Sequence, residues 1–378
     1  MFNGKMSVQP PGDRRGRPLG VLRLSLTARC NLACPYCCPD SKEPAGLLTM
    51  EQRIQLVEAF VSLGGHTLRL TGGEPLLHGG LEDLITALQP LRQRSSDDPR
   101  GQLKDMALTT NGVLLTAERA RRLRQAGLDR ITLSLDGTTA ASVATMAGLQ
   151  GGEAAGEMIL TKVLAAIDHA IAAGFNPAVG ALKLNAVITR SGNANQLLPL
   201  AELARQYGME LRLIEFMDVG NRNGWTIDDV VSASEMVEQI GSRWSLEPVS
   251  RDPHGTATRW KYKDGHGFLG IISSISAPFC GDCNRLRVTA DGMAYTCLFA
   301  SAGKDLRPSL QPQSSVLAIQ SAIHKLWLQR DDRYSEERHE YSPAPNAKKD
   351  NQGESTVFSG KNANQLIPVH AEMAYLGG

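Results

Sequence analysis

The sequence has almost no net charge, and this narrows the choice of binding partner. Its 378 residues include 40 basic and 39 acidic side chains, which leaves a formal charge of +1. A protein that binds nucleic acid through the phosphates needs a clear surplus of cations. We therefore expect no nucleic-acid partner, and any bound anion must be held by a local group of basic residues.

The sequence also lacks a long apolar run. The stretch MFNGKMSVQPPGDRRGRPLG has charges, Pro and Gly where a signal peptide has an apolar core. No other segment approaches the roughly 20 apolar residues of a membrane span. We therefore predict a cytoplasmic protein with no membrane partner. Because disulfides are rare in that reducing compartment, the seven cysteines are interpreted as ligands or catalytic groups.

Cysteine is absent from the whole middle of the chain. The seven fall into two groups, which are Cys30, Cys34, Cys37 and Cys38 near one end and Cys280, Cys283 and Cys297 far beyond them. A chain of this length can bury a large core without cross-links. The pattern therefore predicts two sites with three close thiols each, or one composite site that the fold closes.

Apolar segments of strand length alternate with segments of helical periodicity from residue 21 to residue 217. The predicted strands are 21–27, 67–72, 104–112, 130–137, 182–190 and 210–217, and the predicted helices between them are 50–63, 81–92, 116–126, 157–173 and 194–207. This repetition implies a parallel sheet with right-handed crossovers that curves into a full or partial barrel. We expect an α/β fold, a partial (β/α)6 barrel of the TIM type.

The pattern changes after residue 217 to short alternating strands, including a hairpin with Asp291 and Gly292 at its turn. We expect this β-rich addition to cover the open side of the barrel, followed by a helix at 314–329. The predicted organisation is a flexible N-terminal arm (1–20), the barrel (21–217), a C-terminal region (218–330), a polar connector (331–365) and a C-terminal tail (366–378).

Polar motifs follow most of the predicted barrel strands. The first cysteine group follows strand one, TGGEP ends strand two and TTNG ends strand three. SLDG ends strand four and FMDVG ends strand six. Functional loops of such barrels lie at the carboxyl ends of the strands. We therefore expect these motifs to face one common cavity.

Cys30, Cys34 and Cys37 have the spacing C-x3-C-x2-C, which a zinc site, a redox triad or an iron–sulfur site could use. Structural zinc takes four protein ligands, whereas three thiolates on a 4Fe-4S cluster leave one iron open. With Tyr36 before the third cysteine, the motif is similar to the signature of the radical S-adenosylmethionine superfamily. That resemblance implies that the cluster cleaves S-adenosylmethionine to a 5′-deoxyadenosyl radical, and that TGGEP binds the methionyl amino group.

The second group, Cys280, Cys283 and Cys297, has the spacing C-x2-C-x13-C. A zinc knuckle is the alternative to a second cluster, but a fourth ligand is missing. Arg285 and Arg287 are two residues apart and would share one face of a strand beside this group. Paired guanidinium groups suit phosphate or carboxylate oxygens, and a solvated basic face is the alternative.

Taken together, the motifs resemble a more specific family. CNLACPYC, LRLTGGEPL, LTTNG, LSLDG, KLNAV, EFM, CGDCNRLRVTADG and a final Gly-Gly are similar to the GTP 3′,8-cyclases of molybdenum cofactor biosynthesis, from about residue 20 to 300 and again at the last two glycines. The resemblance implies conversion of GTP to 3′,8-cyclo-7,8-dihydro-GTP with S-adenosylmethionine and two 4Fe-4S clusters. It also implies an electron donor such as flavodoxin or ferredoxin and hand-over of the product to cyclic pyranopterin monophosphate synthase, and it leaves room for a homodimer.

The resemblance assigns roles to individual positions. The implied cluster ligands are Cys30, Cys34 and Cys37 for the first cluster and Cys280, Cys283 and Cys297 for the second. The implied contacts to S-adenosylmethionine are Tyr36, Gly73, Ser134 and Met217. The implied contacts to GTP are Arg23, Arg69, Thr110, Lys183, Arg285, Leu286 and Arg287.

A final Gly-Gly is by default a disordered end. In the family that this sequence resembles, the two glycines, here Gly377 and Gly378, reach into the active site and are needed for catalysis. Only glycine has no side chain that would obstruct a chain end in such a narrow site. We expect the apolar Met373, Tyr375 and Leu376 to anchor this tail.

Two other functions stay open. Another radical S-adenosylmethionine enzyme with an auxiliary cluster, such as a peptide maturase, would usually have more C-terminal cysteines and no use for a Gly-Gly end. An iron–sulfur or zinc-dependent regulator would need a partner surface or basic helix that the sequence does not reveal. Cys38, directly after the first triad, is interpreted as a free thiol.

Overall fold

The protein has the α/β architecture that the alternating pattern predicts. A computed structural model describes residues 10–39, 42–341 and 371–376. Gly377, Gly378 and most of the predicted connector lie outside these residues. Among the helices of the described segments, none is long and apolar enough to cross a membrane.

Six parallel strands form the centre of the sheet. They are β1 (Val21–Ser25), β2 (Thr67–Thr71), β3 (Asp105–Thr110), β4 (Arg130–Ser134), β5 (Leu182–Ile188) and β6 (Glu210–Glu215). They pair in sequence order. Because the pairs are parallel, all six carboxyl ends lie at one edge of the sheet. Each strand lies within one of the predicted segments.

Helices connect these strands and continue into the C-terminal half. In the described residues they are α1 (Met50–Ser62), α2 (Leu81–Ala87), α3 (Gln89–Arg92), α4 (Ala117–Ala126), α5 (Ala140–Met146), α6 (Gly152–Ala172), α7 (Leu197–Gln206), α8 (Ala233–Gly241), α9 (Val316–Leu328) and α10 (Tyr334–Tyr341). Helix α6 begins at Gly152 instead of 157 because the Glu and Ala residues that follow favour helix. Helix α8 was not predicted, although Ser232 and Glu235 form a capping box at its start.

The C-terminal strands extend the sheet at both edges. They are β7 (Leu246–Val249), β8 (Thr258–Tyr262), β9 (Phe268–Ile272), β10 (Arg285–Val288), β11 (Met293–Tyr295) and β12 (Lys304–Asp305). The full order is β12-β11-β10-β1-β2-β3-β4-β5-β6-β9-β8-β7, with β10 parallel to β1 and β9 parallel to β6. The sheet stays open, which confirms the partial barrel. The β-rich addition flanks the six central strands on both sides.

The two faces of the central strands differ in chemistry. Leu22 and Leu24 of β1 are fully buried in the main hydrophobic core, while Arg23 between them lines a cavity on the opposite face. This alternation is the ordinary period of two along a strand. The core therefore lies beneath the helices, and the inner face of the barrel is left for polar side chains.

Residues 10–20, assigned from sequence to a flexible arm, are folded against the C-terminal region. Leu19 is fully buried. The indole Nε1 of Trp327 in α9 donates a hydrogen bond to Arg17 O at 3.0 Å. Helix α9 in turn packs on α1. The N-terminal segment is thus part of the folded body from residue 10 onward.

Glu215 at the end of β6 joins three segments of the chain. Its carboxylate is fully buried and accepts backbone N–H groups of Ala233 at 2.8 Å, Ile275 at 2.7 Å and Ser276 at 2.9 Å. The hydroxyl of Ser276 is a fourth donor. One acidic side chain therefore fixes the start of α8 and the loop after β9 to the barrel.

We expect Glu215→Gln to destabilise the protein, because the new amide group would face N–H donors that need an acceptor. Leaving one or two buried donors unpaired costs about 1–3 kcal/mol each. Urea unfolding followed by circular dichroism measures the change. Glu247→Gln, on an exposed position of β7, is the matched control and should stay within about 0.5 kcal/mol. Equal stability of the two variants would contradict the role of Glu215.

Candidate active site

One cavity at the carboxyl edge of the sheet is lined by both cysteine groups. The loops after β1, β2, β3, β4 and β6 all reach it, as predicted from the positions of the motifs. The cysteines that line it are Cys30, Cys34, Cys37, Cys280, Cys283 and Cys297. Two groups far apart in sequence therefore form one composite site.

The first cysteine loop is a tight turn that directs three thiols into the cavity. The backbone N–H groups of Cys37 and Cys38 both donate to Cys34 O at 3.0 Å. Cys38 adopts a left-handed conformation with φ 47°, and its thiol donates to Pro35 O at 3.0 Å. Cys38 is not part of the cavity lining. The geometry thus separates this fourth thiol from the other three.

Tyr36, between two cysteines of this loop, is held by Asp136. The phenol donates to Asp136 Oδ2 at 2.7 Å, and the other oxygen of Asp136 accepts Val187 N–H at 2.8 Å. Burial raises the pKa of Asp136 to about 6. The SLDG motif therefore fixes the ring of Tyr36 at the cavity wall.

The GGE motif lets the loops after β1 and β2 approach closely. A Cβ atom at Gly73 would lie 2.2 Å from Arg29 O, and one at Gly72, where φ is 147°, would lie 2.5 Å from Thr27 O. No other residue fits such a contact without a shift of the backbone. Both glycines line the cavity.

Glu74 of the same motif is already occupied by donors of the protein. Its carboxylate accepts Leu76 N–H at 2.9 Å, the Thr110 hydroxyl at 2.7 Å and Asn111 N–H at 2.8 Å. Burial raises its pKa. Glu74 therefore ties the loop after β2 to the loop after β3, and it positions Thr110.

The second cysteine group lies on a 3₁₀ turn, Cys280–Asp282, and on the segment after β11. Burial raises the pKa of Cys297 to about 12, with Asp332 adding to the effect. Burial also raises the pKa of Cys283, but Arg285 and Arg330 outweigh it and lower the value to about 6. One thiol of the second group is thus poised to ionise.

Both triads suit an iron–sulfur cluster better than a single ion. Within each triad, the negative charge of one thiolate raises the pKa of a neighbouring thiol, so that ionisation of the second thiol is less favourable. A cationic cluster relieves that repulsion, because thiolates are its ligands. Among the residues that the structure describes, no three His, Cys, Asp or Glu side chains converge closely enough for one metal ion. The donor set therefore fits two clusters.

A row of arginine side chains crosses the cavity floor. Parallel pairing places Arg287 of β10 opposite Arg23 of β1, and Arg23 opposite Arg69 of β2. Neighbouring strands are about 4.8 Å apart, so these three residues form a row of like charges. Arg285 lies two residues from Arg287 on the same face of β10, and all four line the cavity.

The row is electrostatically unfavourable without an anion. Burial lowers the pKa of Arg69 to about 9, with Arg130 the largest charge contribution. Burial also lowers that of Arg287 to about 10, helped by Arg285. Arg69 Nε and Arg287 Nη1 are buried and have no hydrogen-bond partner among the described residues. The cavity therefore offers unmatched donors and positive charge to an anionic ligand.

The segment 371–376 lies against the same cavity. Met373 and Ala374 line it, and Met373, Ala374 and Leu376 are buried. Met373 belongs to a small apolar cluster with Met217, Val219 and Phe299, on which Cys37 and Cys297 also pack. This cluster connects the tail to both cysteine groups.

Polar contacts hold the same segment at each end. The Tyr375 hydroxyl contacts both carboxylate oxygens of Asp291 at 2.9 Å, and the Ser25 hydroxyl donates to Tyr375 O at 3.3 Å. Glu372 forms an ion pair with Arg222 at 3.0 Å. The predicted anchoring by Met373, Tyr375 and Leu376 thus corresponds to buried or hydrogen-bonded side chains.

Two family models match the chain. The model of the radical SAM superfamily matches residues 24–204, and the model described as Molybdenum Cofactor Synthesis C matches residues 209–336. The boundary between the two falls just before β6. Each match contains one of the two cysteine groups.

Curated relatives match over nearly the full length. A protein of Synechococcus sp. (strain CC9902) named GTP 3′,8-cyclase is 56% identical over 97% of this chain and 98% of its own length. The chain belongs to the GTP 3′,8-cyclase family. Relatives of the same name in Acidothermus cellulolyticus and Xanthomonas campestris pv. campestris (strain B100) are 42% and 45% identical, over 98% and 88% of this chain and 100% and 94% of their own lengths.

Solved structures agree with the fold of this family member. Streptococcus suis SuiB bound to S-adenosylmethionine superposes with a TM-score of 0.57 at 13% identity, covering 86% of this chain and 68% of that one. The protein anSMEcpe with bound AdoMet superposes with a TM-score of 0.51 at 16% identity, covering 82% and 83%. At these identities the likeness supports the partial barrel alone.

Most of the predicted site residues meet at this cavity. Besides the six cysteines, those that line it are Tyr36, Gly73, Ser134, Met217, Arg23, Arg69, Thr110, Arg285 and Arg287. Lys183 instead forms an ion pair with Glu210 at 3.0 Å. Leu286 is fully buried in the core on the opposite face of β10. Gly377 and Gly378 lie outside the described residues.

Sequence reasoning missed several residues of the cavity wall. Arg212 and Asn185 line it, and their positions in β6 and β5 follow the strand alternation, which could have identified them. Arg330 and Asp332 line it too, but they come from the segment after α9, where no periodic pattern predicts an inward direction. Their inclusion depends on tertiary packing.

We expect tripolyphosphate to stabilise the protein, because it would neutralise the arginine row. A ligand well above its dissociation constant should raise the melting temperature by about 3–6 °C. Differential scanning fluorimetry at low salt measures this shift. Arg287→Met should reduce it, whereas Arg121→Met, which removes an exposed charge on α4, should not. An equal shift in both variants would contradict the assignment.

Proposed function

We propose that this protein is a radical S-adenosylmethionine GTP 3′,8-cyclase, which converts GTP to 3′,8-cyclo-7,8-dihydro-GTP in the first step of molybdenum cofactor biosynthesis. One observation carries the proposal: a single cavity joins two cysteine triads across a row of arginines, of which Arg69 Nε and Arg287 Nη1 have no hydrogen-bond partner among the described residues. Radical generation and polyanion binding require those two features at one place. Membership of the family supports the same reaction.

The first triad would hold the 4Fe-4S cluster that binds S-adenosylmethionine. Bound there, these groups would supply the radical chemistry for abstraction of hydrogen from the substrate. Gly73 leaves room for close backbone approach, and Tyr36, fixed by Asp136, would orient the cofactor. Ser134 and Met217, also in the cavity wall, complete the proposed cofactor contacts.

The arginine row would bind the triphosphate. A triphosphate has several negative charges, and guanidinium groups match its oxygens as bidentate donors. Arg23, Arg69 and Arg287 lie side by side, so they would orient the chain of phosphates across three strands. Thr110, held by Glu74, would contact the same substrate.

The nucleobase would then lie toward the second cluster, held by Cys280, Cys283 and Cys297. Lys183, now paired with Glu210, is a proposed GTP contact that would require exchange of that ion pair. Leu286 would contribute through its backbone, since its side chain is in the core. The substrate would thus be held at both ends, with its phosphates at the arginine row and its base at the second cluster.

Gly377 and Gly378 are proposed to act in catalysis at the ribose end of the substrate. The supporting observation is that Ala374, close to them in sequence, lines the cavity. Tyr375 and Glu372 secure the segment through Asp291 and Arg222. Glycine has no side chain to obstruct a ligand at such close approach.

Three partner assignments are also proposals. Reduction of the first cluster requires a low-potential electron donor such as flavodoxin or ferredoxin. The product would pass to cyclic pyranopterin monophosphate synthase, and a homodimer is the proposed assembly. We place these steps in the cytoplasm, where thiols stay reduced.

The central test is anaerobic reconstitution with iron and sulfide, followed by incubation with dithionite, S-adenosylmethionine and GTP. We expect 5′-deoxyadenosine and a cyclised GTP product together, detected by mass spectrometry. Deoxyadenosine without conversion of GTP would reject GTP as substrate and favour another radical reaction, such as peptide maturation. Neither product from a cluster-loaded protein would reject the radical mechanism.

A second prediction concerns the tail. Tyr375→Phe removes the hydroxyl that contacts Asp291, and hydrogen bonds to a charged group are worth about 1.5–3 kcal/mol. We expect the rate of GTP conversion to fall by roughly tenfold or more, as for deletion of Gly377 and Gly378, while both clusters are retained. Tyr207→Phe, which removes a hydroxyl that contacts Asp168 far from the cavity, is the matched control. Full activity of Tyr375→Phe would argue against a docked tail.

A further inference from the structure

A group of buried charges lies directly behind the second cysteine turn. Asp13, Arg17 and Arg330 have side chains that are 0%, 2% and 2% exposed. Two of them come from residues 10–20 and one from the start of the segment after α9. Buried charges of this kind occur only where they are paired and hydrogen-bonded.

Asp13 holds the two arginines together. Its Oδ2 accepts from Arg17 Nε at 2.6 Å and from Arg330 Nη1 at 3.3 Å. Its Oδ1 accepts the backbone N–H groups of Arg15 and Arg17, each at 2.9 Å. One carboxylate thus orients two guanidinium groups. The Asp332 carboxylate pairs with Arg330 Nε at 3.2 Å, so the two arginines and two aspartates together have no net charge.

Both guanidinium groups point at the backbone of the cysteine turn. Arg17 Nη1 donates to Cys280 O at 2.8 Å and to Asp332 O at 2.8 Å. Arg330 Nη1 donates to Cys283 O at 2.6 Å. The carbonyl groups of both cysteines at the ends of the turn are therefore fixed by the same charged trio.

A neighbouring tryptophan contacts both arginines of the trio. Trp327 stacks on the Arg330 guanidinium at 4.6 Å and donates to Arg17 O at 3.0 Å. Arg17 Nη2 is buried and has no hydrogen-bond partner in the part of the chain that the structure describes. A fully satisfied structural ion pair would not leave such a donor beside the turn.

We infer that Asp13, Arg17 and Arg330 are positioning residues for the second cluster, which set the spacing of Cys280 and Cys283 through the carbonyl groups of these two cysteines. This inference rests on the proposed function, which assigns a cluster to this triad. Groups that orient metal ligands from outside typically change metal affinity about 10- to 100-fold. A buried ion pair is otherwise weak evidence for stability.

The test isolates the second cluster in the full-length protein. A Cys30→Ala, Cys34→Ala, Cys37→Ala background retains only the second triad, and a Cys280→Ala, Cys283→Ala, Cys297→Ala background retains only the first. Arg17→Met and Arg17→Lys are introduced into each background. Arg94→Met, which breaks a partly buried ion pair with Glu58 at 2.8 Å, is the control.

Three measurements follow anaerobic reconstitution: iron and sulfide per chain, the electron paramagnetic resonance spectrum of the reduced cluster, and the rate of iron release to a chelator. In the background with only the second triad, we expect Arg17→Met to release iron about tenfold faster and to show an altered spectrum. Arg17→Lys should be intermediate, because it keeps the charge and one donor. Arg94→Met should match its parent.

In the background with only the first triad, Arg17→Met should leave iron content and deoxyadenosine formation unchanged. Equal iron loss in both backgrounds would show a merely structural role and overturn the inference. An unchanged spectrum and iron-release rate in the background with only the second triad would overturn it as well. If the parent with only Cys280, Cys283 and Cys297 binds no cluster, the second-cluster assignment fails and this inference with it. No readout uses GTP, so failure of the cyclase assignment is recognised separately.

Discussion

Parallel pairing between β10 and β1 is the contact on which the site depends. It joins the second cysteine region to the strand that precedes the first cysteine loop, and its register sets Arg287 beside Arg23. The backbone hydrogen bonds of a ladder fix register, because a slip of one residue would turn every side chain to the opposite face. A slip of β10 by one residue would turn Arg287 into the core and Leu286 into the cavity, while Arg23 would keep its place through the pairing of β1 with β2.

That register concentrates like charges in the cavity, and the nearby carboxylates do not neutralise them. Burial lowers the pKa values of Arg23, Arg69 and Arg287, and the charges of neighbouring arginines lower them further. The nearby carboxylates are engaged elsewhere: Glu74 accepts three donors, and Glu210 pairs with Lys183 and Arg212. The cavity is therefore left positive, next to thiols that repel one another. An anionic substrate complements the positive part of the cavity, and cationic clusters complement the thiols.

Much of this arrangement could be predicted from the sequence. The six central strands follow from periodicity, and strand alternation places polar motifs at their carboxyl ends. The cysteine spacings identify two triads. Helix α8 was not predicted, although Ser232 and Glu235 provide a capping signal, because the short strand patterns around it dominate that region. The pairing of β9 with β6 and of β10 with β1 could not be predicted, since strand patterns do not specify their partners.

The charged residues behind the second turn illustrate the same limit. Asp13 and Arg17 lie in a stretch of Pro, Gly and charge that looks like a flexible arm, and Arg330 begins a polar segment. Nothing in their spacing relates them, because the contact between them closes a loop of more than 300 residues.

The local chemistry follows from the sequence alone: which thiols lie close together, which segments alternate as strands, and where glycine permits close approach. Tertiary packing brings the two triads to one cavity, aligns three arginines in a row and places the N-terminal segment behind the second turn. This difference arises because spacing along a chain constrains only residues that are close in sequence. Contacts between distant segments depend on sheet register and on which buried charges find partners.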